Sequence, residues 1–190
     1  MSLERACWQA LPPLWDPARW VFVDDTGLNT AMVREWGWGP CGERVLGTVP
    51  QGHWETTTLV LAVRQAGLMA PMVTAGAMNG PLFLEDVKAF LCPTLAPGDL
   101  VIWDNLSVHQ VAGVRDAIET RGAILQPLPP YRPDLNPIEP VFAKLKAGMR
   151  AAGERTVEAL WKTLGQLLDD FPPAECANIL RGAGYAVQAN

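Results

Sequence analysis

Apolar positions along this chain fall into short unbroken runs separated by stretches of helical period, which predicts a layered α/β molecule. Trp20-Val21-Phe22-Val23 ends in Asp24-Asp25 and the turn signal Thr26-Gly27. That pattern predicts a buried strand with carboxylates at its end. Glu43–Val49 and Thr56–Val63 predict two more strands, joined through Pro50-Gln51-Gly52 as a meander, whereas the signal around Met72–Thr74 is weak. From Pro81 to Leu91, Leu82, Phe83, Val87, Phe90 and Leu91 keep helical spacing, with Asn79 placed to cap the helix. Pro97-Gly98 then breaks the chain before Asp99–Asp104, a strand that again ends in an acid. A helix over Val111–Arg121, stopped by Gly122, leads to a strand over Ala123–Leu128 and a turn-rich loop from Pro129 to Asp134.

A well-marked helix start follows. Asn136 suits the N-cap, Pro137 the first helical position and Glu139 the third, and the helix runs to about Ala152 before Gly153. A second helix, Thr156–Phe171, puts Val157, Leu160, Trp161, Leu164 and Leu168 on one face, and Pro172-Pro173 separates it from a short helix at Ala174–Leu180. The order is therefore three strands, helix, strand, helix, strand, helix. That is the order of the ribonuclease H-like fold, a mixed sheet flanked by helices in which the first and fourth strands are neighbours. The expected division is a lead-in over 1–19, the α/β unit over 20–152 and a C-terminal helical extension over 153–190.

Composition narrows the class. With 190 residues, 49% hydrophobic and 18% charged, the chain suits a globular protein with one full core. No run approaches the roughly 18 apolar residues of a membrane span, and the N-terminus lacks a basic stretch followed by an apolar core. Cys7, Cys41, Cys92 and Cys176 lie far apart with no C-x-x-C pair, which argues against a zinc knuckle and predicts reduced, buried thiols in a cytoplasmic protein. The formal charge is −5. A chain so charged is not built to grip DNA by charge alone, so any action on DNA needs cations or another domain.

The chemistry lies in three acids. Asp24 ends the first predicted strand, Asp104 ends the fourth, and Glu139 opens the helix after the fifth. Three carboxylates on one sheet edge repel unless cations neutralise them. Magnesium, a hard ion taking oxygen ligands, is the natural choice, and two such ions about 4 Å apart can activate an attacking oxygen and stabilise a leaving one. Each acid has a structural alternative. Asp24 or Asp25 can begin an Asx-turn at Thr26-Gly27, Asp104-Asn105 can be a strand-end turn, and Glu139 with Asn136 can form a capping box.

A family resemblance bears on that choice. The stretch PLPPYRPDLNPIEPVFAKLK (127–146) resembles the signature that closes the catalytic domain of mariner-type DDE transposases, in their bacterial insertion-sequence branch. VIWDNLSVH (101–109) resembles that family's second motif and VFVDDTG (21–27) its first, and 34 residues separate Asp104 from Glu139, an interval typical of the superfamily. GWGPCGERV (37–45), AMNGPLFLEDVKAFL (77–91) and GAGY (182–185) match as well, so the resemblance covers nearly the whole chain. It implies that Asp24, Asp104 and Glu139 bind two Mg2+ or Mn2+ ions, with Asp24 bridging both, Asp104 completing one site and Glu139 the other. It also implies metal-dependent strand cleavage and strand transfer at transposon ends, by a dimer. The family usually has Asp-Glu where Asp24-Asp25 stands, which leaves the choice within that pair open, and a small residue where Arg132 stands. Its members carry a helix-turn-helix region that reads inverted-repeat DNA. Nothing before Trp20 is long enough for one, so it is expected on a separate or missing segment.

Other residues carry weaker signals. His109 can steady a nucleotide or a ligand, or bond within the following helix. Trp36 and Trp38 predict a packed hairpin corner, with base stacking as the other reading. On the helix from Asn136, Ile138, Val141, Phe142, Leu145 and Met149 form the sheet-facing stripe, while Glu139, Lys146 and Arg150 share one flank. Lys146 and Arg150 can track a DNA backbone or form a solvated face. Two rival functions remain at this level: an idle or repurposed domain that dimerises or binds a partner, and a stand-alone ribonuclease H-like nuclease.

Overall fold

The computed structural model describes Trp8 and residues 16–104, 111–129 and 133–185. Its central strand, β1 (Trp20–Asn29), is buried without a break from Trp20 to Val23, as a strand covered on both faces must be. Antiparallel to it runs β2 (Thr56–Arg64), whose far side carries the antiparallel edge strand β3 (Gly67–Ala75). On the other side of β1, β4 (Leu100–Trp103) and β5 (Ile124–Pro127) are added in parallel. The sheet order is β3-β2-β1-β4-β5, with the first and fourth strands adjacent as expected.

Helices cover both faces. The helix α1 (Gly80–Asp86) is capped by Asn79, whose side chain accepts the Leu82 amide at 3.1 Å, and it continues into a wider turn over Val87–Leu91. With α2 (Val114–Glu119) it packs Phe83, Val87, Val114 and Ile118 against Val21, Val23, Val101 and Trp103. The opposite face carries α3 (Ile138–Ala152), α4 (Val157–Leu168) and α5 (Pro173–Gly182), whose apolar sides meet Trp20, Phe22, Leu61 and Ile102. Gly153 ends α3 at φ 65°, donating its N–H to the Met149 carbonyl, a left-handed cap that glycine makes at little cost.

Several expectations change. Residues 43–49 form no strand, and Val45, Leu46 and Val49 stand exposed, because β3 takes the place beside β2. The signal for β3 is weak because it is a half-buried edge strand containing Pro71, tolerable where no outer partner needs its N–H. Ala70, at φ 49°, and Pro71 together oppose Leu61 as a bulge. β1 does not turn at Thr26-Gly27, since its ladder with β2 runs on to Asn29↔Thr56. The second predicted helix shrinks to α2, six residues long. Trp36 and Trp38 are fully solvent-exposed rather than packed as a corner. Of the thiols, Cys92 and Cys176 are buried, Cys41 is exposed, and Cys7 lies outside the described residues.

Candidate active site

The parallel pairing of β1 with β4 aligns Val23 with Trp103, so Asp24 and Asp104 are the next residues along two neighbouring strands. Adjacent strands lie roughly 4.8 Å apart, so the two acids leave neighbouring backbones. Side chains alternate along a strand. Val23 and Trp103 face the α1 and α2 layer, whereas Phe22 and Ile102 face α3, so Asp24 turns towards the α3 side, where it meets Asn136. Asp24 does not end its strand as the sequence suggested. It lies within β1, at the point where the parallel ladder with the short β4 stops and only the β2 ladder continues. Asp104 does follow the last residue of β4.

Asp24 is buried, and both its oxygens are engaged. Oδ1 accepts the Asp25 amide at 2.8 Å, and Oδ2 accepts the side-chain amide of Asn136, also at 2.8 Å. Asn136 belongs to the loop that opens α3. Its Oδ1 accepts the Ile138 amide at 3.3 Å, a long bond beside the contact it makes with Asp24. Glu139 stands exposed in the first turn of α3, where a carboxylate is favoured by the N-terminal end of the helix dipole. Among the described residues no hydrogen bond ties its carboxylate back to Asn136, so the capping box is not formed. Asp25 is half-buried and, by alternation, faces the other layer.

The structure thus places Asp24 and Asp104 one residue past the last paired positions of two neighbouring strands, and links Asp24 to the start of the Glu139 helix. It does not draw the three carboxylates into one cage: among the described residues no group of three or more His, Cys, Asp or Glu is placed to hold a metal ion. The donors that surround the site are oxygens of hard character, suited to a divalent ion such as Mg2+ and unsuited to a soft one.

Beyond Glu139, the half-buried Lys146 and Arg150 line a cleft of about 360 Å³ with Asn29, Met32, Glu35 and Trp54. The cleft is shallow and open to solvent. Arg155 fixes its rim by donating to the carbonyls of Thr30 and Met32 at 3.0 Å. His109 lies outside the described residues.

A second buried link supports the loop before α3. The Tyr185 hydroxyl donates to the Leu135 carbonyl at 2.6 Å and accepts the Trp8 indole N–H at 2.8 Å. Burial pushes the Tyr185 hydroxyl up to about 12, partly offset by the Trp8 bond, so it stays a donor at all ordinary pH. Its ring lies 4.7 Å from Trp20 and 4.6 Å from Phe22, the residues that precede Asp24 on the same face of β1. Sequence reasoning missed Asn136 as a partner of Asp24 because its place before a helix suggested a cap. It missed Trp54 and Glu35 because they join the cleft from a segment without regular structure.

A family model described as DDE superfamily endonuclease matches residues 19–161. No curated protein matches the chain. A pre-cleavage Mos1 transpososome superposes with a TM-score of 0.71 at 15% identity, over 95% of this chain and 57% of that one. A mariner Mos1 paired-end complex with Mg gives 0.69 at 17% identity, over 95% and 58%. The catalytic domain of Mos1 mariner transposase gives 0.63 at 17% identity, over 95% and 87%. At such identities the likeness is one of fold, and the fold is ribonuclease H-like. The chain spans little more than half the length of the transposase chains in the first two of these complexes.

Proposed function

The chain belongs to the DDE superfamily endonucleases, and from that premise we propose that it is the catalytic part of a DNA transposase, cutting strands at transposon ends and joining them to target DNA. The observation that carries this reading is the alignment of Asp24 beside Asp104, with Asp24 hydrogen-bonded to the loop that opens the Glu139 helix. In this proposal residues 20–152 are the catalytic unit, 1–19 a lead-in and 153–190 a helical extension.

The proposed reaction is in-line attack of water or a 3′-hydroxyl on a phosphodiester. Asp24, Asp104 and Glu139 are the proposed ligands of two Mg2+ or Mn2+ ions, Asp24 shared, Asp104 completing one site and Glu139 the other. Mos1 complexes solved with Mg and with Mn support this choice of ion. Such ions, when bound, activate the attacking oxygen and stabilise the leaving one. The protein's part is to hold and orient. Asp24 and Asp104 sit on rigid neighbouring strands, and the first turn of α3 presents Glu139 with its dipole favouring negative charge. Lys146 and Arg150 offer cations to backbone phosphates along the cleft, and His109, which lies outside the described residues, is proposed to steady a nucleotide. Selection of inverted-repeat ends falls to a helix-turn-helix region outside these 190 residues, and the working assembly is a homodimer in the cytoplasm.

The test is DNA nicking by the chain supplied with a DNA-reading half. Nicking requires Mg2+ or Mn2+ and is abolished by Asp104→Asn, which keeps the shape of the side chain but removes its charge. Activity near wild type in that variant, with the fold intact, would refute the reading.

A further inference from the structure

The contact between Asn136 and Asp24 joins residues 112 positions apart in sequence, at 2.8 Å, with both side chains buried. An amide has one acceptor and two donors, and a carboxylate only accepts. Here the geometry leaves the amide one satisfactory orientation, with Nδ2 towards Asp24 Oδ2 and Oδ1 towards the Ile138 N–H. We propose that Asn136 is a positioning residue, whose amide holds the Asp24 carboxylate in one rotamer and sets β1 and the head of α3 in a common frame. The inference rests on the proposed role of Asp24 and adds to it.

Three observations support a positioning role over simple capping. The bond to Asp24 is shorter than the bond to Ile138, so the amide is committed to the carboxylate more than to the helix. Asp24 Oδ1 is turned by the Asp25 amide, so the two bonds together fix the plane of the carboxylate. The preceding residue is itself anchored, since the Leu135 carbonyl accepts the Tyr185 hydroxyl while the Tyr185 ring packs on Trp20 and Phe22. The loop before α3 is thereby held against β1 at two successive residues, Leu135 and Asn136. Partners that orient a metal-binding side chain commonly matter about tenfold or more to metal affinity.

The experiment measures Mn2+ binding to the full chain by electron paramagnetic resonance of the free ion, beside thermal unfolding of each variant. Asn136→Ser leaves a short acceptor for the Ile138 amide but cannot reach Asp24. It should weaken Mn2+ binding about tenfold, with an unfolding temperature lowered by the lost buried hydrogen bond but a chain that still unfolds cooperatively. Tyr185→Phe keeps the ring packing, removes the hydroxyl, and should weaken binding by a smaller factor. It also serves if the Asn136 variant fails to fold. Wild-type affinity in a folded Asn136→Ser chain would overturn the inference, as would unchanged affinity in Tyr185→Phe should Asn136→Ser not fold. Asp24→Ala separates the two levels. If it loses binding while Asn136→Ser keeps it, only the positioning role fails. If Asp24→Ala binds as well as wild type, or the wild-type chain shows no saturable binding, the reading of the site fails and this inference falls with it.

Discussion

Asp24 and Asp25 are neighbours in sequence and opposites in the sheet, because successive strand residues point to opposite faces. Asp24 lies on the face of Phe22 and takes the Asn136 amide, so Asp24→Ala should stop DNA nicking while Asp25→Ala should leave most of it. Nicking assays on the two variants compare them directly, and the reverse ranking would move the site to the other layer. A different acid, Asp86 at the end of α1, is buried with Oδ1 unpartnered among the described residues. Burial raises its pKa from 3.8 to about 7. A folded-state pKa above the unfolded one means that the folded chain binds the extra proton, so this group favours folding fully below about pH 4. That contribution is lost as pH rises towards 7. Asp86→Asn should therefore flatten the fall in stability between pH 4 and 7, which denaturant titrations at several pH values would record. An unchanged pH profile would mean that Asp86 finds a partner in solution.

At the scale of elements, α3 matters most, since it carries Glu139, Lys146 and Arg150 on one side and the core stripe on another. Leu145 is fully buried between β1 and the outer helices. Leu145→Ala should cost about 2–5 kcal/mol in chemical denaturation, because the rigid strands beneath cannot close the cavity. Thr156 caps α4 by accepting the Ala159 amide at 3.2 Å, and Thr156→Ala should cost only about 1 kcal/mol. The contrast separates the core packing of α3 from the local capping of α4. If the cap variant proved as costly as the core variant, the start of α4 would matter to the fold as much as the packing of α3. Most helices were legible because their period and caps are local, as at Asn79 and Thr156. The error at residues 43–49 has the opposite cause. An apolar run becomes a strand only when a neighbour offers a ladder, and here β3 already occupies the edge of β2.

For the whole molecule, a net charge of −5 sets the expectation for DNA. The chain alone should bind duplexes weakly and without sequence preference, through phosphate contacts at the Lys146 and Arg150 cleft. Binding should fall steeply as salt rises, because each neutralised phosphate releases counterions. Replacing both cations by alanine should weaken binding to inverted-repeat and random duplexes alike, and reduce the slope of log affinity against log salt by roughly two. Gel-shift titrations at several salt concentrations measure both. Tight, salt-tolerant choice of one duplex would place sequence reading inside this chain.

Strands β1, β2, β4 and β5 and most of the helices could be read from the chain itself, because they depend on local periodicity and caps, whereas the adjacency of β1 and β4 and the choice of the three acids came from the resemblance to a known fold and family. The tertiary structure decided which residues those acids meet. The 2.8 Å contact of Asn136 with Asp24 spans 112 positions, and the Tyr185 anchor on Leu135 spans 50. Neither has a local signature, since a buried amide beside a helix start looks like a cap until the opposite strand is in place. The same holds for the cleft of Trp54, Lys146 and Arg150, assembled from a helix and an irregular loop that only folding brings together.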